Sequence, residues 1–238
     1  RDVAPSRGLG DVYKRQTLKA LKTMQRNANR ILNLINQLLD IRRIDRGKME
    51  ITYRHTDLVG FVADIFNMFD YQATKRNILF SFLHDLTTLP VYLDCNNFDK
   101  VLMNLLMNAF KYTPDRGSII LETRCRKAFT SLYKNSYTVG ESTNDVFSII
   151  VSDTGVGISR ESISSVFERF YKVNTVNADS HLGTGIGLAL VKSLVLLQKG
   201  TISIHSEREK GTDMIVYLPL DSLSLIHISE PTRRSYIS

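Results

Sequence analysis

Two glycine-rich stretches lie in the second half of the chain: Asp153-Thr154-Gly155-Val156-Gly157-Ile158 and Gly183-Thr184-Gly185-Ile186-Gly187-Leu188. Both follow an asparagine-rich segment, Asn104-Leu105-Leu106-Met107-Asn108-Ala109-Phe110-Lys111-Tyr112-Thr113. Glycine allows positive φ and lets a ligand approach the backbone closely, and N–H groups at the start of a helix favour phosphate oxygens. Two such turns in this order, behind a segment with amides and a lysine, predict one nucleotide site.

The asparagine-rich segment is predicted to be a helix in which Asn104, Asn108 and Lys111 share one face, because they are four and three residues apart. An amide oxygen can ligate Mg²⁺, which otherwise prefers phosphate oxygens and water, and a lysine neutralises phosphate. The alternative is a solvated polar face of an amphipathic helix. The opposite face looks like core and carries Val101, Leu102, Leu105, Leu106 and Ala109.

The first glycine turn begins with Asp153, which closes the apolar strand Ile149-Ile150-Val151. A carboxylate fixed there can accept a hydrogen bond from an exocyclic amine such as that of adenine, and it would be left unpaired by a ligand that lacks the donor. The alternative is a turn after a strand with no ligand. An aspartic protease would need a second Asp-Thr-Gly triplet, and the chain has none.

The second glycine stretch opens a predicted helix, where phosphates are expected. It is not a Walker loop, because no Gly-Lys-Ser/Thr follows, and not a Rossmann fingerprint, because it follows a polar stretch instead of a strand. Phe167 and Phe170 precede that polar run, Lys172–His181. Aromatic residues at one end of such a run predict a lid over a nucleotide; two core phenylalanines before a loop are the alternative.

Hydrophobic periodicity predicts a long helix from Thr17 to about Asp45, with a wide apolar seam that requires a bundle or coiled-coil partner. Further helices are expected at Asp57–Lys75, with Asp57 as N-cap, at Asn96–Tyr112 and Gly185–Gln198, and near Arg160–Val166. Strands are expected near Met49–Arg54, Ile78–Leu83, Val91–Asp94, Ser118–Arg126, Val146–Asp153, Thr201–Glu207 and Asp213–Leu218. Lys127–Asn144 is predicted to be a surface excursion.

The length of 238 residues allows either one large domain or a domain with an appendage, and the composition is 43% hydrophobic with a net charge of +7. Residues 1–16 and 222–238 are interpreted as translated adapter or cloning sequence and carry three of those positive charges, so a nucleic-acid function is not indicated. Cys95 and Cys125 lack a CxxC partner, which argues against a zinc site or a disulfide framework. The scattered histidines are expected on surfaces or strands: His55, His84, His181, His205 and His227.

Together these motifs resemble the catalytic ATP-binding domain of sensor histidine kinases, in the superfamily shared with DNA gyrase and the heat-shock chaperone ATPases. The resemblance covers about Thr17 to Leu220. It implies an α+β fold, a two-layer α/β sandwich of the Bergerat type with a mixed sheet packed on helices, preceded by a long bundle helix. Residues 17–47 would be the second helix of the dimerisation and phosphotransfer domain, and 48–221 the catalytic domain.

The resemblance also assigns roles to single residues. Asn104 and Asn108 would form the asparagine box, with Asn108 the Mg²⁺ ligand, Lys111 near phosphate and Tyr112 near the nucleotide. Asp153 would read the adenine amine, with Gly155 and Gly157 shaping its turn, and Ile158 would also belong to the ATP-binding residues. The remaining ATP-binding residues would be Phe167 and Phe170 of the phenylalanine box and Gly183, Thr184, Gly185, Gly187 and Leu188 of the phosphate loop.

The implied activity is transfer of the ATP γ-phosphoryl to a histidine on a dimerisation helix, then to an aspartate of a response-regulator receiver domain. The resemblance implies a homodimer and the cytoplasmic domain of a membrane-anchored sensor. The amino-acid sequence of residues 38–49 is similar to that of hybrid sensor kinases. No His-Glu-x-x-Thr-Pro-like box occurs in the chain, so we expect a fragment that binds ATP without phosphorylating itself. The alternatives are a serine kinase, a conformational ATPase of the same superfamily, or a nucleotide-binding module without catalysis.

Overall fold

The computed structural model describes residues 6–126, 136–140, 146–172 and 184–220 of the chain. Within these ranges the helices are α1 Ser6–Asp45, α2 Leu58–Asn67, α3 Asp70–Arg76, α4 Cys95–Tyr112 and α5 Gly187–Leu197. The strands are β1 Arg54–Asp57, β2 Leu79–His84, β3 Pro90–Leu93, β4 Ser118–Arg126, β5 Tyr137–Val139, β6 Val146–Asp153, β7 Thr201–Glu207 and β8 Gly211–Pro219.

Six strands form one mixed sheet in the order β2-β4-β6-β8-β7-β5. The β2–β4 pair is parallel, and the pairs from β4 onward are antiparallel. Alternate strand residues such as Ile119, Ile149 and Val216 share one core with α4 and α5, as the two-residue period of a strand requires. The predicted fold class, a mixed sheet packed on helices behind a long helix, is confirmed.

The opposite face of the sheet is not a simple solvated surface. Val146, Ile150, Ile215 and Tyr217 form a second, smaller cluster there, and each of these side chains is buried. Both sides of the central strands β6 and β8 therefore exclude water, which explains why these strands read as nearly continuous apolar runs.

Several predicted boundaries are wrong in the first third of the chain. Helix α1 begins at Ser6 instead of Thr17, because residues 6–16 contain no proline that would stop a helix. The strand expected at Met49–Arg54 is displaced to β1. The helix expected at Asp57–Lys75 is two helices separated by a tight turn at Met68, whose N–H bonds to the carbonyl of Ile65 at 3.1 Å. Asp57 is the N-cap of α2, as predicted.

Two further expectations are corrected in the second half of the chain. The short helix expected near Arg160–Val166 is a series of turns, in which Ser162 N–H bonds to Ser159 O at 2.9 Å without a continuing helix. The excursion expected at Lys127–Asn144 contains β5, which pairs with β7; its residues 127–135 and 141–144 lie outside the described residues.

Helix α4 is fixed at both ends by side chains. At its start Asp94 is buried and accepts hydrogen bonds from the backbone N–H and side-chain amide of Asn97 at 3.2 and 2.6 Å, a normal N-cap arrangement. At its end Arg76 donates to the carbonyls of Phe110 and Thr113, satisfying groups that a helix terminus leaves open. Pro114 follows and stops the helix, as predicted. These contacts fix the rotation of α4 and therefore the direction of its polar face.

Helix α1 docks on the domain through its last three turns. Ile41 is buried, and Leu34, Leu38 and Ile44 pack against the core. Two ion pairs flank this apolar contact: Asp40 with Lys100 and Asp45 with Arg169, both at 2.7 Å. The other side of the helix leaves about half of each large apolar side chain exposed: Leu18, Leu21, Met24, Ile31, Leu32, Ile35 and Leu39. The helix thus has one docked side and one open apolar seam.

Within the described residues, no helix combines the length and the apolar character needed to cross a membrane.

We expect Phe110→Ala to lower the free energy of unfolding by about 3–5 kcal/mol. Phe110 is fully buried, stacks on Phe69 at 5.1 Å and meets Phe80 edge-on at 5.1 Å. Met107→Ala on the same helix is the control, because that side chain is 54% exposed and its loss costs roughly 0.5 kcal/mol. Urea denaturation measures both; a Phe110→Ala cost no larger than the control would contradict this packing.

Candidate nucleotide site

A cavity of about 550 Å³ opens between α1, α4, the turn after β6 and the start of α5. Asn108, Asp153 and Gly185 all line it, although they belong to three separate segments of the chain. The other predicted site residues that line it are Asn104, Lys111, Tyr112, Gly157, Ile158, Thr184, Gly187 and Leu188. One concave site therefore collects most of the predicted residues.

Four predicted site residues are not part of the lining as described. Gly155 is buried behind Asp153, Phe167 lies in the core and stacks on Tyr137 at 6.2 Å, and Phe170 is 63% exposed. Gly183 lies outside the described residues. For Phe167 the placement matches the alternative interpretation of a core phenylalanine. Contact of these four with a nucleotide stays a prediction.

The two asparagines of α4 differ in how they are used. The Asn104 carboxamide is engaged within the protein: its Oδ1 accepts from Gln37 Nε2 at 3.1 Å, and its Nδ2 donates to the Lys100 carbonyl at 2.7 Å. The half-buried Asn108 carboxamide makes no hydrogen bond among the described residues. Asn108 therefore presents its oxygen and its N–H groups to the cavity.

Lys111 and Tyr112 form the outer edge of the same wall. The Lys111 ammonium donates to the Tyr112 hydroxyl at 2.9 Å and lies 4.5 Å from the centre of the same ring. Both side chains are exposed, so neither contact holds the lysine strongly. The ammonium is free to turn toward an anion in the cavity.

Asp153 is positioned by the sheet and by the turn that follows it. As the last residue of β6 it lies opposite Ile119 of β4 and Thr212 of β8, and its Oδ1 accepts the Gly155 N–H at 2.8 Å. Burial raises the pKa of the Asp153 carboxyl to about 6, and the nearby Asp213 charge acts in the same direction; N–H donation from Gly155 and Thr212 opposes this rise in pKa. The carboxylate is consequently mostly ionised at neutral pH, in a partly dry position.

Glycine is required where the turns approach other backbone. Gly157 has φ +65°, and a Cβ on it would lie 2.0 Å from the Glu207 carbonyl oxygen. Gly187 opens α5, and a Cβ there would lie 2.7 Å from Asn104 Oδ1. The first glycine seats the turn after β6 against the sheet edge, and the second lets α5 start directly beside the asparagine face of α4.

The segment before the second glycine stretch contributes residues that the sequence analysis missed. Val166 and Tyr171, neighbours of the two predicted phenylalanines, line the cavity together with Lys172. The backbone holds this segment in place, since Phe170 N–H bonds to Gly185 O at 2.8 Å. The apolar part of the lining also includes side chains of α4 and the sheet: Leu105, Met107, Ala109, Val151, Val156 and Met214.

A fourth wall comes from α1. The sequence analysis placed no α1 residue in the site, yet six side chains of α1 line the cavity: Arg26, Asn29, Arg30, Asn33, Leu34 and Gln37. Their spacing of three and four residues marks one helix face, which is the signal that could have identified them as a group. The described lining residues include four cationic side chains, Arg26, Arg30, Lys111 and Lys172, and one carboxylate, Asp153. Because positive charge is in excess, the cavity favours an anion.

A comparison with known protein families identifies the family of this chain. A family model described as "Histidine kinase-, DNA gyrase B-, and HSP90-like ATPase" matches residues 94–222, a range that contains α4, both glycine stretches and most of the sheet. Because the match covers more than half of the chain, the chain belongs to this ATPase family.

Its curated relatives are sensor histidine kinases. "Hybrid signal transduction histidine kinase D" of Dictyostelium discoideum is 34% identical over 85% of this chain, and "Sensor histidine kinase TmoS" of Ectopseudomonas mendocina is 35% identical over 86%. The chain spans 12% and 19% of the lengths of these two relatives, so it corresponds to one portion of them.

Solved histidine kinases share the fold. Full-length ShkA in complex with AMPPNP superposes with a TM-score of 0.68 at 20% identity, covering 86% of this chain and 39% of that one. The Acinetobacter baumannii histidine kinase AdeS gives 0.64 at 18% identity, covering 84% of each chain. At these identities the likeness establishes the fold alone.

We expect Gly157→Ala to destabilise the protein by about 2–4 kcal/mol, combining the left-handed backbone penalty with displacement of the Glu207 carbonyl. Gly47→Ala is the matched control: its φ is +62°, but nothing lies within 4 Å of the added Cβ, so it should cost only about 1–2 kcal/mol. Denaturant unfolding of both variants measures the difference. Equal costs would show that the close approach at Gly157 is not rigid.

The raised pKa of Asp153 predicts pH-dependent adenine-nucleotide binding. Above pH 6 the ionised carboxylate gives a charge-assisted hydrogen bond, so wild-type affinity should exceed that of Asp153→Asn by about tenfold at pH 8. The ratio should approach one by pH 5, because the folded-state carboxyl is then protonated. Calorimetric titration measures the ratio, in which the nucleotide's own ionisation cancels. If the ratio of the two affinities stays constant from pH 5 to 8, the Asp153 carboxylate does not accept a hydrogen bond from the adenine amine.

Proposed function

We propose that the cavity binds ATP with Mg²⁺ and that the chain is the catalytic ATP-binding domain of a two-component sensor histidine kinase. The observation that carries the proposal is convergence: the amide face of α4, the carboxylate after β6 and the start of α5 line one cavity. The amides of α4 and the carboxylate of Asp153 would by themselves fit many kinds of ligand. Together with the cationic side chains of the lining and the glycine-rich turn at the start of α5, they fit a nucleoside triphosphate.

Each wall of the cavity suits a different part of ATP. Asp153 lies beside an apolar floor that includes Met214 and Val151, a surrounding suited to a flat base whose amine donates to the carboxylate. Thr184 and Gly185 precede α5, where backbone N–H groups favour phosphate oxygens. Lys111 and Lys172 can balance the charge of the phosphates.

Asn108 is the proposed Mg²⁺ ligand. Its carboxamide has no hydrogen-bond partner among the described residues, it is half-buried, and it faces the cavity from a helix fixed at both ends. A neutral oxygen ligand fits Mg²⁺, which keeps several waters and phosphate oxygens. When bound, the ion would neutralise charge that develops on the phosphates.

The phosphoryl acceptor must come from outside α1, because that helix contains no histidine. We propose that an imidazole nitrogen on a separate dimerisation helix attacks the γ-phosphorus, so that an N–P bond forms, the bond to the β–γ bridging oxygen breaks, and ADP leaves. The phosphoryl group then passes to an aspartate of a response-regulator receiver domain. Protein groups act in such transfers mainly by positioning and charge stabilisation.

The open apolar seam of α1 supports the assembly proposed for the intact protein. A helix with this many half-exposed leucines and isoleucines is stabilised by packing in a bundle, which fits a homodimeric dimerisation domain. The alternative functions, a serine kinase or a conformational ATPase, do not explain why such a helix lies beside the nucleotide cavity. The proposed setting is the cytoplasmic part of a membrane-anchored sensor.

We expect Asn108→Ala to abolish the Mg²⁺-dependent part of ATP binding while the unfolding midpoint changes little, because the carboxamide makes no hydrogen bond to any described residue. Asn96→Ala is the matched control: it is an exposed asparagine on the same helix, outside this cavity. Calorimetry with and without Mg²⁺ measures the effect. Unchanged affinity in Asn108→Ala would contradict its role as ligand.

Phosphoryl transfer is tested by mixing the chain with an isolated phosphoacceptor-helix domain from a sensor kinase and γ-labelled ATP. We expect the label on a histidine of the added domain, and no transfer with Asn108→Ala. Label on serine would instead support the serine kinase, and bound ATP without any transfer would support a nucleotide-binding module.

A further inference from the structure

Helix α1 turns a polar stripe toward the cavity, on the side away from its open apolar seam. The stripe consists of Arg26, Asn29, Arg30, Asn33 and Gln37, which occupy positions i, i+3, i+4, i+7 and i+11 and so share one helix face. Nothing about bundle formation requires this stripe, because the seam that would pack in a bundle is formed by other residues. Its position on the cavity wall indicates a part in ligand binding.

Three polar contacts and one buried side chain hold the helix in this place. Gln37 donates to Asn104 at 3.1 Å, Asp40 pairs with Lys100 at 2.7 Å, and Asp45 pairs with Arg169 at 2.7 Å. Ile41 is 2% exposed between them. An α-helix rises 1.5 Å per residue and is stiff over this length, so anchoring residues 37–45 carries Arg30 and Arg26 along the cavity, about 10 and 16 Å from Gln37.

Four cationic side chains line the cavity, and they come from three of its walls. Lys111 stands on the α4 wall and Lys172 beside the start of α5, and the two arginines lie on the α1 wall. Arg26 is exposed, and it donates hydrogen bonds to its own helix, to the Lys22 carbonyl at 3.4 Å and to Thr23 Oγ1 at 3.5 Å. Contacts this long are exchanged readily for a charge-assisted bond to phosphate.

We propose that Arg26 and Arg30 bind the phosphates of the nucleotide, so that a bound nucleotide joins α1 to the ATPase fold from opposite walls of one cavity. The inference rests on the proposed function, since it takes the cavity's ligand to be a nucleoside polyphosphate. It adds binding residues from a helix outside the matched family range, which begins at Asp94. It also gives a physical route by which nucleotide occupancy and the seating of α1 depend on each other.

The test compares Arg26→Ala/Arg30→Ala with Arg42→Ala/Arg43→Ala. The control pair removes the same charge from exposed positions of the same helix, outside the cavity. Binding of Mg-ATP is measured by calorimetry near 0.15 M salt, and binding of adenosine, which lacks phosphate, by NMR titration. We expect the first variant to lose at least about tenfold in ATP affinity and to keep its adenosine affinity, with the control within twofold of wild type for both ligands.

A second readout follows the helix itself. In the wild-type chain, ATP should slow hydrogen exchange of backbone amides in residues 26–37, adenosine should not, and the effect of ATP should be lost in Arg26→Ala/Arg30→Ala. Lysine replacements at both positions should restore part of the ATP affinity, since charge is kept while the planar fork is lost.

The unfavourable outcomes separate the two proposals. If wild type binds Mg-ATP and the double variant binds it equally well, the arginine proposal is overturned and the proposed function stands. If ATP and adenosine affinities fall together, the arginines act only by supporting the wall, which also overturns the proposal. If wild type binds no nucleotide, the proposed function fails and this inference fails with it.

Discussion

The Asn104 carboxamide lies where three helices meet, and the shape of the cavity depends on that junction. It accepts from Gln37 of α1, donates to the Lys100 carbonyl within α4, and leaves room for α5 only because Gly187 has no Cβ. A single hydrogen bond of this kind contributes about 1 kcal/mol, so its importance is geometric. Any larger residue at either contact would separate α5 or α1 from α4 and open the cavity.

The attachment of α1 is mainly apolar, although its most visible contacts are charged. The Asp45–Arg169 pair leaves nearly half of each side chain exposed, and ion pairs this open to solvent are weak because water and salt screen them. Burying Ile41 contributes roughly 1.5–3 kcal/mol, more than that pair. The ion pairs and the Gln37 contact therefore select the angle and register of the helix, and the apolar contact supplies much of the stability.

The proposed binding of ATP places two electrostatic requirements on one cavity. The proposed amine acceptor must be partly dry, and burial raises the pKa of Asp153 to about 6, while the proposed polyphosphate requires positive charge close by. The structure separates them: the carboxylate is at the end of β6 against the sheet, and the lysines and arginines lie at the rim and on α1. Distance and partial burial let both operate at neutral pH, since the carboxyl remains mostly ionised there.

The sequence alone determined the mixture of helices and strands, most strand positions from β4 onward, and the three segments that line the cavity, because those features depend on local patterns; the layered fold class was implied by the family resemblance of the motifs. A hydrophobic period of 3.6 residues in helices or two residues in strands, and a glycine-rich turn, can each be recognised from neighbouring residues. Tertiary packing alone decided where the phenylalanines of the predicted box lie, that Asn104 and Asn108 differ in their partners, and that α1 is a wall. Those outcomes depend on which helix face meets which neighbour, and contacts such as Gln37 with Asn104, which are 67 residues apart in the chain, leave no local trace in the sequence.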